Sequence, residues 1–88
     1  MPWKVEYLEA CRRQLKGLGP EVKAEILAYM RENVVDSDDP YDSAKALTGR
    51  WSGHWRYRIG TYRVICKMRN REMVVMAVKA GHRGDVYN

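Results

Sequence analysis

Residues 55–69 read as two strands joined by a turn, and no other stretch constrains the fold as much. From Trp55 to Ile59 apolar and basic residues alternate. Trp55, Tyr57 and Ile59 share one phase, Arg56 and Arg58 the other. A period of two is what a half-buried strand requires, because successive side chains leave opposite faces. Gly60-Thr61 supplies a tight turn, with glycine able to take positive φ. Beyond it Tyr62, Val64, Cys66 and Met68 alternate with Arg63, Ile65, Lys67 and Arg69. The predicted hairpin therefore has one apolar face that must be covered. Its other face bears Arg56, Arg58 and Arg63, a cluster of guanidiniums suited to a chain of phosphates.

The flanking elements supply the cover. Trp3, Val5 and Tyr7 alternate with Lys4 and Glu6, which predicts a short first strand. From Leu8 the period lengthens, and Leu8, Cys11, Leu15 and Leu18 fall on one side of a helix. Gly17 and Gly19 end that helix, and Pro20 opens a second. Its apolar stripe is Val22, Ile26, Tyr29, Met30 and Val34, and the two helices are expected to pack as a hairpin. The acidic, turn-rich stretch 36–42 reads as a surface loop without the spacing and glycine of a calcium loop.

Lys45, Leu47, Gly49 and Arg50 lead towards the basic hairpin, and residues 51–54 read as a loop or bulged approach. After a turn at Asn70-Arg71, residues 72–79 are apolar on both faces, which predicts a strand inside the sheet. The order β-α-α-β-β-β predicts an α+β fold. It consists of a small antiparallel or mixed four-stranded sheet with an N-terminal helical hairpin on one face and the arginines on the other.

A chain of 88 residues is expected to form a single domain, 1–88. No apolar run approaches the roughly 18–20 residues of a membrane span, and the N-terminus lacks the apolar core of a signal peptide. Cys11 and Cys66 stand alone, without metal-type spacing, and are expected to be free thiols in a reducing cytoplasm. Charge is unevenly spread. Residues 1–44 carry six Lys/Arg and nine Asp/Glu, for −3, whereas residues 45–88 carry ten and two, for +8. The basic charge sits on the strand-rich half, which points to a polyanion, nucleic acid first.

With these motifs in place, the chain resembles the RelE/ParE superfamily of toxins from bacterial and archaeal toxin–antitoxin modules. The resemblance spans almost the whole chain. It is carried by the element order, by Leu47-Thr48-Gly49, by the run from Trp55 to Ile65, and by Gly81-His82-Arg83 with Val86-Tyr87. For the RelE branch it implies metal-independent cleavage of messenger RNA in the A site of the ribosomal 30S subunit. The 2′-hydroxyl attacks the adjacent phosphorus and leaves a cyclic phosphate and a 5′-hydroxyl. Such chemistry needs a base, positive charge on the phosphorane and an acid for the leaving oxygen.

Carried over, Arg56 and Arg58 take the paired basic positions of the hairpin's first strand. Lys67 is a further phosphate-binding residue. Arg63 matches the arginine after the turn, Arg83 the arginine past the last strand and Tyr87 the terminal aromatic. Arg63 and Arg83 are expected to carry transition-state charge, and Tyr87 to stack on a base or order the 2′-hydroxyl. The best-known RelE pattern has lysines where Arg56 and Arg58 stand, and a guanidinium cannot act as a base. His82 is then the expected base, since an imidazole ordinarily titrates near about 6.5, with His54 second. The resemblance implies no cofactor. Its implied partners are a cognate antitoxin and ribosome-bound mRNA, without a membrane. The ParE branch implies a different target, DNA gyrase, without RNA chemistry. A catalytically weak nucleic-acid-binding relative is the third reading.

Overall fold

The computed structural model describes residues 3–87. The chain opens with strand β1 (Lys4–Tyr7), followed by helices α1 (Glu9–Gly17) and α2 (Pro20–Met30). Strands β2 (Ala44–Ala46), β3 (Trp55–Ile59), β4 (Tyr62–Arg69) and β5 (Val74–His82) complete one sheet of order β1-β5-β4-β3-β2. β1 runs parallel to β5, and the other pairs are antiparallel.

The helices follow from local sequence. Glu9 in the first turn and Lys16 in the last complement the dipole of α1. Cys11 and Leu15, four residues apart, bury its inner face. Gly19, at φ 96°, makes the corner that Pro20 converts into the first turn of α2. Ile26 and Met30 then face inward, and a π-helical turn at Arg31–Val35 extends the helix so that Val34 is buried too. The core lies between these helices and one sheet face, where Tyr57, Val64, Cys66, Val75 and Ala77 are buried with them. The Tyr57 hydroxyl donates to the carbonyl of Pro40 and pins the acidic connection to the sheet.

Two features depart from the sequence-based expectation. The sheet has five strands rather than four, because residues 44–46 pair with β3 as an edge strand. The pairing of β4 with β5 also slips by one residue. Ile65 faces Lys79 but Cys66 faces Ala77, which leaves Val78 as the extra residue of a bulge. A one-residue shift reverses which face each later side chain takes. Without it, His82 would share a face with Met76. With it, Lys79 and Gly81 take that face and His82 the opposite one.

Candidate functional site

Directly opposed residues of antiparallel strands share a face. Arg58 lies opposite Arg63, Arg56 opposite Ile65, and Lys45 opposite Arg56. The same face takes Lys67, Arg69 and Lys79 from the centre of the sheet, and Lys4 and Glu6 from β1. Glu6 is the one acid among the described strand positions of this face. The helices cover the other side, so the charges of the strand-rich half converge on the uncovered one.

At one end of that face is a cleft of about 450 Å³. Its floor is Arg56, Arg58 and Arg63, one wall is Lys45 to Thr48, and the other is Arg83, Gly84 and Tyr87. The second wall exists because the chain folds back after β5. Val86 is 1% exposed, packed where Gly81 has no side chain, with Val86 Cβ 3.6 Å from the position a Cβ would take. The Arg83 backbone N–H donates to the Thr61 carbonyl at 2.8 Å, tying this segment to the hairpin turn. Gly60 makes that turn at φ 58°.

Arg63 is 9% exposed, and its Nη1 donates to the carbonyls of Gly60 and Tyr62 at 3.4 and 3.3 Å. Burial, then the neighbouring guanidiniums of Arg56 and Arg58, push its pKa below the ordinary value. Tyr87 acts in the opposite sense, and Arg83 lowers it again. An arginine starts so high that it remains cationic at neutral pH. The cleft is thus a fixed concentration of positive charge that an anion would relieve.

The structure brings Arg56, Arg58, Arg63, Arg83 and Tyr87 together, but not every expected residue. His82, expected as the base, points to the helix-covered side. It lies opposite Tyr62, with the two rings edge to face at 5.3 Å, and the bulge at Val78 is the reason. His54 packs edge-on against Trp51 at 5.2 Å, outside the cleft lining. Lys67 shares the basic face but lies beyond the cleft. Conversely, Lys45, Leu47 and Thr48 form a wall that sequence reasoning treated as a lead-in. The only sequence signal for that strand is the short alternation Ala44-Lys45-Ala46. Lys45 and Tyr87 are the lining residues whose side chains can exchange a proton, which the guanidiniums cannot.

A larger cavity of about 570 Å³ lies between β1 and α2. Val5, Tyr7, Leu27 and Val35 line it, and its single cation, Arg31, is accompanied by Glu32 and Asp36. That balance does not suit a polyanion. Among the described residues, no three His, Cys, Asp or Glu side chains gather to hold a metal ion, and no helix is long and apolar enough to cross a membrane. Burial pushes the Cys11 thiol up to about 11 and Cys66 still higher, so both free cysteines are protonated structural groups.

The small mixed sheet with a helical pair on one face matches the fold of RelE toxins, and the family match places the chain in the RelE/ParE toxin superfamily. More particularly, the chain belongs to the family described as the ParE toxin of type II toxin–antitoxin systems, whose model matches residues 5–87. It is 28% identical over 87 residues to Toxin RelG of Mycobacterium tuberculosis, covering 99% of this chain and 98% of that protein. Among solved structures it resembles the toxin–antitoxin complex RelBE2 of M. tuberculosis, with a TM-score of 0.79 at 24% identity. That match covers 94% of this chain and 100% of the other. It also resembles a mutant of Escherichia coli toxin RelE in the free state, with a TM-score of 0.78 at 19% identity, over 99% and 92% of the two chains.

Proposed function

We propose that this toxin is a ribosome-dependent mRNA endoribonuclease working by 2′-hydroxyl attack. The observation that carries the reading is the convergence of Arg56, Arg58, Arg63 and Arg83 with Tyr87 on one cleft. The scissile phosphate sits between Arg63 and Arg83, whose N–H groups neutralise the phosphorane as charge develops. Arg56, Arg58 and Lys45 hold adjoining phosphates, with Lys67 further along the same face. The 2′-oxygen forms its bond to phosphorus as its proton passes to solvent water, and the bond from phosphorus to the 5′-oxygen breaks as that oxygen takes up a proton from solvent. Tyr87 orders the 2′-hydroxyl or stacks on a neighbouring base. The products are a cyclic phosphate and a 5′-hydroxyl end.

The partner is a cognate antitoxin, as in the similar RelBE2 complex, and its acidic side chains would be drawn to the basic face. The site of action is the ribosomal A site in the cytoplasm. Primer extension on translated mRNA exposed to the purified chain tests the reading. Cuts bearing 5′-hydroxyl ends within A-site codons are expected. A second reading draws on the matched family's description as ParE, in which the target is DNA gyrase. Intact mRNA together with gyrase-linearised plasmid would establish that reading and remove the first.

A further inference from the structure

We propose that the basic face continues beyond the cleft as a track for single-stranded RNA, with β4 carrying the phosphates that flank the one at Arg63. The proposal rests on the preceding reading only for the ligand being RNA. Along β4, Arg63, Lys67 and Arg69 all take the uncovered face, and Arg69 lies roughly 20 Å from Arg63 at the usual rise per residue. This is too far for the cleft to account for, since Lys67 and Arg69 are not among its lining residues.

The interval between the two ends is bridged. Lys79, opposite Ile65 at mid-strand, holds its ammonium 5.7 Å from the centre of the Trp51 ring, so that a cation and an aromatic ring meet near the middle of the face. The far end is also held in place, for Arg69 Nε donates to the sulfur of Met76 on the neighbouring β5 at 2.7 Å. Positive groups repeated along a strand, with an aromatic between them, match the repeating phosphate of an unpaired nucleic acid. A folded acidic protein has no such regular repeat. Glu6, on the outermost strand, closes the track on that side.

The test is anisotropy of the full chain with a 2′-O-methyl RNA of about eight nucleotides, which binds but cannot be cleaved, titrated with salt. Each phosphate neutralised on a single strand contributes about −0.7 to the slope of log K against log salt. Lys67→Gln with Arg69→Gln should therefore flatten the slope by about 1.4, and should weaken binding of the longer strand more than that of a strand of about three nucleotides. Arg12→Gln with Arg13→Gln removes the same charge from exposed positions on α1 and should change neither.

An equal change in both variants would show a diffuse field and overturn the track. So would no change in the first variant, or failure of the wild-type chain to bind the longer strand. Competition by polyglutamate that depends on Lys67 and Arg69 as strongly as RNA binding does would reassign the face to an acidic protein. Absence of cleavage on ribosomes with the slope change intact would sink the ribonuclease reading and leave the track standing.

Discussion

The two faces of this sheet are built from alternate residues of the same strands, yet they are organised by different forces. On β3, Tyr57 is fully buried and its neighbour Arg58 is exposed. On β4, Val64 and Cys66 enter the core, whereas Arg63 and Lys67 take the uncovered side. The helix-covered face gains from removing apolar surface from water. The uncovered face gathers like charges at a cost, since Arg58 and Arg63 lie directly opposite one another. The contrast teaches that stability and the proposed ligand binding fall on opposite sides of one strand pair. The largest test is therefore Tyr57→Ala. It empties the core side and removes the hydroxyl that holds Pro40. A loss of about 3–5 kcal/mol is expected in urea denaturation, a large part of the about 5–15 kcal/mol available to a small domain. A loss below about 1 kcal/mol would mean that this face does not hold the fold together.

Arg83→Ala probes the other side. Arg83 is exposed, and its tie to Thr61 is through the backbone, so the substitution leaves that hydrogen bond in place. If the proposed ribonuclease function holds, cleavage should fall by about 10²–10³, the usual cost of losing one transition-state donor, with the unfolding free energy unchanged within about 0.5 kcal/mol. Parallel loss of stability and activity would erase the distinction between the faces.

Titration separates them next. Burial raises the Cys11 thiol from its ordinary 9.0 to about 11. The folded protein therefore binds more protons than the unfolded chain between those values. The stabilisation is whole below pH 9 and is lost as pH rises through about 11, to a total of roughly 2–3 kcal/mol. Cys11→Ala should flatten that alkaline limb in denaturation curves, although it costs packing at every pH. An unchanged limb would assign it to other groups, among them Cys66 and the buried tyrosines Tyr7 and Tyr57, whose pKa values burial also raises.

The basic hairpin was legible because its signal is local: alternation in the run 55–69 and a glycine at the turn determine each strand's faces without reference to the rest of the chain. The helices were legible for the same reason, from Cys11 and Leu15 or Ile26 and Met30. β2 was not, because Ala44-Lys45-Ala46 is too short and too poor in β-formers to declare itself. It becomes a strand by pairing with β3, a contact made across the intervening loop. With it went the cleft wall at Lys45 and Thr48. The face taken by His82 was not legible, for a subtler reason. His82 adjoins Arg83 in sequence, but its face depends on a register between β4 and β5 that slips at Val78, and no residue near His82 encodes that slip.

The smallest expected effect bears most directly on the cost of the uncovered face. Arg63 cannot swing away from Arg58, because its guanidinium is held against the carbonyls of Gly60 and Tyr62. Arg58→Gln removes one of two opposed cations without touching the core. It should raise stability by about 0.2–1 kcal/mol at low salt and weaken RNA cleavage. The gain should disappear near 1 M salt, where the screening length is about 3 Å and the repulsion is already suppressed. Denaturation of both proteins across a salt series measures this directly. If Arg58→Gln instead destabilises the chain at low salt, the opposed guanidiniums are not in conflict, and the two faces do not differ in the way proposed. If it stabilises and cleavage falls, the arginine pair is retained for its ligand at the expense of the fold.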